Sequence, residues 1–177
     1  YTDVGYRPKQ PVSYSHKLHA GDLGMDCRYC HTRVEEAPHA NVPSTQTCMN
    51  CHTLIGSDSD KLLAVRESWA TGDPIQWVRI HKLPDYAYFD HSAHLKAGVG
   101  CESCHGNVAA MEVVEQKEPL SMSWCLDCHR NPGPHLRSQD ELTKMNWTPP
   151  TNQSKIAQQL INEKQITPPL DCSGCHR

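Results

Sequence analysis

The sequence predicts a fold made mostly of loops and short α-helices, with little or no β-structure, built around large groups that are not side chains. Only 37% of the 177 residues are hydrophobic and Phe89 is the one phenylalanine, so side chains alone would make a thin core. Thirteen prolines and ten glycines favour frequent turns. All ten cysteines fall in five copies of one short motif. We therefore expect the motif to hold the missing core.

That motif is Cys-x-x-Cys-His. Its two cysteines can each form a thioether bond with a vinyl group of one haem, and its histidine can bind the iron as the proximal ligand. The sequence thus predicts five covalently bound haem c groups. In chain order, the first to fifth motifs are Cys27, Cys30 and His31; Cys48, Cys51 and His52; Cys101, Cys104 and His105; Cys125, Cys128 and His129; and Cys172, Cys175 and His176.

Zinc sites and redox dithiols also use Cys-x-x-Cys, and a single copy would more often be one of these. Histidine accounts for 12 of the 177 residues. Its occurrence after all five pairs would then arise by chance about once in a million sequences, which favours haem over zinc or disulfides.

Two His-x-x-His pairs precede the first and third motifs. His16 stands eleven residues before Cys27, and His91 stands ten residues before Cys101. This similarity predicts a duplicated unit, each copy with one pair and two motifs. The predicted division is an extended arm at 1–15, a two-haem unit at 16–58, a helix and linker strap at 59–85, a second two-haem unit at 86–135 and a C-terminal segment with the fifth haem at 136–177.

Each iron also needs a distal ligand, and seven histidines remain for this role. We expect His16, His19, His91 and His94 to be distal ligands, with the first of each pair serving the next motif and the second reaching a neighbouring haem. The fifth ligand is open. The candidates are His39, Met111 as a thioether that would raise the reduction potential, His81 and His135. Met111 is alternatively a packing residue, and His81 and His135 alternatively hold a haem propionate.

Three segments have recognisable local signals. Residues 60–71 are predicted to form a helix with a cap at Ser59 and a stop at Gly72, and residues 152–164 a second helix. Ser44 is expected to lead into a short helix that carries Cys48. Residues 74–84, bounded by Pro74 and Pro84, form an apolar and basic strip. It is either a strap over haem edges or a docking site for a partner subunit.

Seventeen basic and twenty acidic residues give a formal net charge of -3, which does not indicate a nucleic-acid partner. No stretch approaches the roughly 20 apolar residues that span a bilayer. Since the sequence starts at Tyr1, we expect a secretion signal or an anchor upstream. Haem c is attached outside the bacterial cytoplasm, which places the chain on that side of the membrane.

Several stretches resemble the pentahaem cytochrome c subunit of bacterial alternative complex III, a class III-type multihaem cytochrome c. They read YSHKLHAG at 14–21, DCRYCH at 26–31, PDY at 84–86, HSAH at 91–94 and MSWCLDCHR at 122–130. The resemblance implies a quinol-oxidising membrane complex with an iron-sulfur protein, integral membrane subunits and a monohaem cytochrome c, and a cytochrome or an oxidase as electron acceptor. It also implies the outer, periplasmic face of the cytoplasmic membrane, with anchoring upstream of Tyr1 or by partner subunits.

Two function classes fit five haems. In an electron-transfer subunit, which has no catalytic residues of its own, every iron has two protein ligands. In a multihaem reductase of a small oxyanion such as nitrite, one iron keeps an open position beside acid-base residues. Because all five motifs end in histidine and seven histidines are spare, the sequence favours electron transfer.

Overall fold

The computed structural model describes residues 3–176, which form short helices joined by long loops. Within this range there is no β-strand, and two isolated bridges join Ala87 to His176 and Val99 to Leu136. The α-helices are α1 (Cys27–Cys30), α2 (Thr45–His52), α3 (Leu63–Thr71), α4 (His91–Ala97), α5 (Glu102–His105), α6 (Met122–Arg130), α7 (Gln153–Lys164) and α8 (Cys172–Cys175). A π-helix, Lys17–Asp22, precedes α1. The predicted fold class is confirmed.

The helices predicted from local signals are present. The Ser59 hydroxyl accepts a hydrogen bond from the Lys61 N–H and begins a 3-10 turn, Asp60–Leu62, that continues into α3. Gly72 ends α3 in the left-handed region with φ of 81°, where glycine has no steric penalty. Helix α2 begins after Ser44, and α7 begins one residue later than predicted.

The two histidine pairs adopt different helices. The second pair begins α4, which Asp90 caps by accepting from the Ser92 and Ala93 N–H groups. The first pair lies at the start of the π-helix. A π-turn accommodates one residue more than an α-turn, and the first pair has one residue more before its motif than the second. The extra residue therefore explains the π-helix.

Each histidine pair lies against the segment that follows a motif of the other repeat. The Lys17 N–H donates to the Met111 carbonyl at 3.0 Å, and the His91 N–H donates to the Pro38 carbonyl at 3.2 Å. At the same contact, a Cβ atom placed on Gly21 would overlap the Ala109 carbonyl oxygen. The two repeats therefore interlock through backbone groups.

We expect Gly21→Ala to weaken this contact, because the added methyl group meets backbone and not a flexible side chain. Such overpacking costs about 1–3 kcal/mol, which should lower the Tm of the haem-loaded protein by several degrees. Asp22→Ala, on the next residue of the same π-helix, is the control and should change stability by less than about 0.5 kcal/mol. Equal Tm values for the two variants in thermal unfolding followed by circular dichroism would contradict the predicted close approach.

Side chains provide little core. Six of the nine buried apolar residues in the described part of the chain form two small clusters, one of Val12, Met49 and Val65 and one of Val34, Leu95 and Leu142. The accessible surface of the chain is 11290 Å². A folded protein of 19.9 kDa would expose about 8,700 Å² on the general size relation. The polypeptide by itself thus leaves surface exposed that an ordinary domain of this mass would bury.

The arm, the strip and the C-terminal segment pack on the chain itself. In the C-terminal segment, the Lys164 ammonium donates to the Lys96 carbonyl at 2.7 Å. The described residues of the arm contain neither helix nor strand, and Gln10 exchanges hydrogen bonds with the backbone of Val78 in the strip, at 2.8 and 2.9 Å. Ile75 and Trp77 of the strip pack against the Val12 cluster. Residues 1 and 2 of the predicted arm lie outside the described residues. In residues 3–176, no helix has both the length and the apolar character needed to cross a membrane.

Candidate haem sites

Each motif lies on or beside a helical turn, which places its two cysteines three residues apart on one side. Three of these turns have side-chain caps: Asp26 accepts from the Arg28 N–H, Ser121 from the Trp124 N–H and Asp171 from the Gly174 N–H. All ten cysteines are unpaired and none is fully buried, although free cysteine is usually a buried residue. Every motif cysteine thus keeps part of its surface accessible, as covalent attachment requires.

Four proximal histidines have the same backbone anchor. In each, Nδ1 lies within hydrogen-bonding distance of a carbonyl oxygen, which holds the proton on Nδ1 and leaves Nε2 free to bind a metal. The pairs are His31 with Asn41 at 2.7 Å, His52 with Ile55 at 2.8 Å, His129 with Pro169 at 2.8 Å and His176 with Tyr86 at 3.2 Å. His105 differs, since its Nδ1 lies 3.3 Å from Nε2 of His81.

Three of the four His-x-x-His residues have the same kind of anchor, a contact between Nδ1 and a backbone carbonyl. Nδ1 of His19 and of His94 each contacts the carbonyl four residues earlier, at 2.8 and 2.7 Å, and Nδ1 of His91 contacts the Pro38 carbonyl at 2.7 Å. Nδ1 of His16 is buried without a hydrogen-bond partner in the described part of the chain. Three of the four rings therefore direct a free Nε2 away from their anchors.

Three of these rings face proximal histidines at similar separations. The ring centres are 6.2 Å apart for His19 and His52, 6.3 Å for His91 and His105, and 6.1 Å for His94 and His129. Metal–imidazole bonds are about 2.0 Å long and the nitrogen lies about 1.2 Å from the ring centre. Two imidazoles on opposite sides of one metal ion therefore have ring centres about 6.4 Å apart. The observed spacings fit a haem iron between each pair.

His16 is near the proximal histidine of the first motif. Burial, followed by the charges of His31 and His19, lowers the pKa of His16 to about 4. Burial likewise lowers the pKa values of His91, His94 and His105. A neutral imidazole is the form that binds iron, so burial favours the protonation state in which these side chains act as ligands.

An aromatic residue two positions before each pair packs on both of its imidazoles. Tyr14 lies 4.8 Å from His16 and 4.4 Å from His19, and Phe89 lies 4.8 Å from His91 and 4.4 Å from His94, between ring centres. Both aromatic residues orient the pair that follows. Sequence reasoning assigned neither residue this role, although an aromatic residue two positions before each pair was a visible signal.

The fifth motif has a different neighbour. The Tyr86 ring lies 5.7 Å from that of His176, and among the described residues no ring contact joins His176 to His39, His81 or His135. His39 is exposed, and His135 ends a half-buried 3-10 turn, Gly133–His135. Met111 is buried, with 8% of its surface exposed. Its backbone carbonyl accepts the hydrogen bond from the Lys17 N–H. The distal ligand of the fifth motif therefore stays open among these four candidates.

The thiols of the first motif have neighbours in two other motifs. A hydrogen bond with Cys101 lowers the pKa of Cys27 to about 7. Burial, followed by the nearby charge of Cys48, raises the pKa of Cys30. The first motif therefore lies between the second and the third.

The later motifs continue the series. Burial, followed by the charges of Cys128 and Cys125, raises the pKa of Cys104. Burial and then the charge of Cys175 raise the pKa of Cys125. The spatial order of the motifs is thus second, first, third, fourth and fifth.

Comparison with known families agrees with this chemistry. The Class III cytochrome C family matches residues 2–83, the Cytochrome c3 family matches residues 93–177, and the family of Cytochrome c554 and c-prime matches residues 78–106. The chain belongs to the multihaem cytochromes c, which carry haem c and transfer electrons. A relative of known role shows this membership most directly. That relative is the menaquinone reductase, multiheme cytochrome c subunit, of Nitratidesulfovibrio vulgaris strain Hildenborough. The two sequences are 31% identical over an alignment of 146 residues, which covers 70% of this chain and 69% of that protein.

Proposed function

We propose that the chain carries five haem c groups and serves as a non-catalytic electron-transfer subunit of a membrane-bound quinol-oxidising complex of the alternative complex III type. The observation that carries the proposal is the set of three imidazole pairs whose ring centres lie 6.1 to 6.3 Å apart. With two imidazoles on an iron, no position is left for a substrate, so such an iron exchanges electrons only.

The proposed axial ligands follow from these pairs. His19 serves the second motif, His91 the third and His94 the fourth, each opposite the proximal histidine whose ring it faces. His16 serves the first motif, supported by the effect of the His31 charge on its pKa. This assignment leaves His31, His52, His105, His129 and His176 as proximal ligands. The ten motif cysteines hold the haems through thioether bonds.

The order of the motifs defines a route. A haem c supplies a one-electron Fe(III)/Fe(II) couple, and the cysteines of neighbouring motifs in this chain lie close enough to shift one another's pKa. The second and fifth motifs are the two ends of the series. Cys51 and Cys172, one from each end, are exposed. We therefore assign the entry and exit of electrons to these two ends.

The proposed setting is the periplasmic face of the cytoplasmic membrane, among an iron-sulfur protein, integral membrane subunits and a monohaem cytochrome c. Oxidation of one quinol releases two electrons and two protons, and the electrons would leave one at a time toward a cytochrome or an oxidase. The named role of the Nitratidesulfovibrio relative, as a subunit of a menaquinone reductase, supports a quinone-linked complex.

That relative also favours a second candidate function, the opposite direction of electron flow. In a menaquinone reductase the cytochrome subunit would deliver electrons toward the quinone. The chain's own residues serve either direction equally well, because paired axial imidazoles set a potential and not a direction. The direction depends on the potentials of the donor and the acceptor.

The test uses the complex purified from detergent-solubilised membranes under anaerobic conditions. We expect added menaquinol to reduce the haems of this chain and a cytochrome acceptor to reoxidise them. If menaquinol leaves the haems oxidised while menaquinone oxidises the dithionite-reduced complex, the reductase direction holds. The proposal fails if the chain washes from the membrane with salt and quinol oxidation persists without it.

Nitrite should leave the Soret band of the oxidised protein unchanged; a shift would favour an oxyanion reductase.

A further inference from the structure

The third motif differs from the other four in what holds its proximal histidine. Nδ1 of the other four proximal histidines contacts a backbone carbonyl oxygen. Nδ1 of His105 instead lies 3.3 Å from Nε2 of His81, and the two rings meet edge to face with centres 4.4 Å apart. His105 therefore has a side chain as its anchor.

His81 is held in place by the strip on which it lies. Gln10 fixes the backbone of Val78 through both its N–H and its carbonyl, and the Arg79 side chain donates to the His81 carbonyl at 3.1 Å. The side chain of His81 is consequently directed at His105 by contacts on its own segment.

The direction of the hydrogen bond follows from the chemistry of the two rings. His105 must use Nε2 for iron, so its proton lies on Nδ1 and is donated to His81. His81 accepts through Nε2 and carries its own proton on Nδ1. This arrangement occupies the nitrogen that His81 would need to bind an iron through Nε2.

An imidazole nitrogen is a stronger base than an amide carbonyl oxygen. A stronger acceptor draws the Nδ1 proton further from the proximal ring and makes that ring a better electron donor to iron. Greater donation stabilises Fe(III) relative to Fe(II), so the reduction potential falls. A backbone carbonyl, as found at the other four motifs, produces less of this effect.

We propose that His81 is a positioning residue that orients His105 and lowers the reduction potential of the haem at the third motif. The proposal rests on the proposed role of His105 as a proximal ligand. The third motif lies in the middle of the spatial series, between the first and the fourth. His81 thereby lowers the potential at the centre of the route more than the carbonyl anchors lower the potentials of the other four haems.

The test compares His81→Leu and His81→Gln with the unchanged chain as isolated holoprotein. Leucine removes the acceptor, whereas glutamine replaces it with an amide oxygen like that of the backbone. In potentiometric titration, we expect one component to shift to higher potential in His81→Leu, by about tenfold in its redox equilibrium constant, or 59 mV for one electron. His81→Gln should show a smaller shift in the same direction. Lys82→Met, on the next residue of the strip, should leave the potentials unchanged.

Two outcomes overturn the proposal. Unchanged potentials in His81→Leu at full haem content would show that the contact has no effect on the iron. A new high-spin signal in electron paramagnetic resonance would show that His81 is itself an axial ligand. Neither measurement involves quinone or partner subunits, so failure of the proposed complex leaves this result untouched. If His81→Leu does not yield holoprotein, His81→Gln alone decides between a raised and an unchanged potential.

Discussion

Replacement of His19 or His94 by alanine should convert one of the five haems from low spin to high spin. Each ring faces a proximal histidine across a separation that fits one iron, 6.2 Å to His52 and 6.1 Å to His129. Removal of the imidazole leaves one iron with a single strong protein ligand, and the open position becomes available to carbon monoxide. Optical and electron paramagnetic resonance spectra of the oxidised holoprotein measure the change.

Neighbouring residues on the same helices provide matched controls for these variants. Lys17→Ala lies on the π-helix beside His19, and Lys96→Ala lies on α4 beside His94. Both lysines are exposed, so their removal should leave the spin state of every haem unchanged. Exogenous imidazole should restore the low-spin spectrum of the histidine variants. Spectra of both histidine variants that match the unchanged protein, without added imidazole, would contradict the assignment.

A second large effect is expected when the chain is produced without haem attachment. Leaving about 200–600 Å² of apolar surface in water cancels the entire stability of an ordinary domain, at about 25 cal/mol per Å². The chain alone exposes 11290 Å², against about 8,700 Å² expected for its mass. We therefore expect haem-free chain to lose most of its helical circular dichroism and to show no cooperative thermal transition.

The comparison is with the same chain produced together with the haem c attachment machinery. That material should contain five haems per chain by pyridine haemochrome assay, all resistant to acid-acetone extraction. A cooperative transition in the haem-free chain would refute the view that haem is the core. Four or fewer haems, or zinc in metal analysis, would refute the reading of the five motifs.

The haem motifs and several helices of this protein could be predicted from its sequence because their signals are local. A haem attachment motif spans only five residues, and the helix signals at Ser59 and Gly72 act within one turn, so neither depends on the rest of the chain. The duplication was visible because both histidine pairs precede their motifs at nearly equal distance. The extra residue before Cys27 could also have predicted the π-helix, since the count differs by one.

The sequence by itself therefore determined the attachment chemistry, the helical and loop-rich fold class and the candidate ligands. Only the tertiary structure decided which candidates meet: His94 faces His129, His91 is anchored on Pro38, His129 on Pro169, and His81 lies on His105. The physical reason is that these contacts join residues 24 to 53 positions apart. No local pattern encodes such pairings, because they arise when the two repeats interlock around groups that the polypeptide alone does not contain.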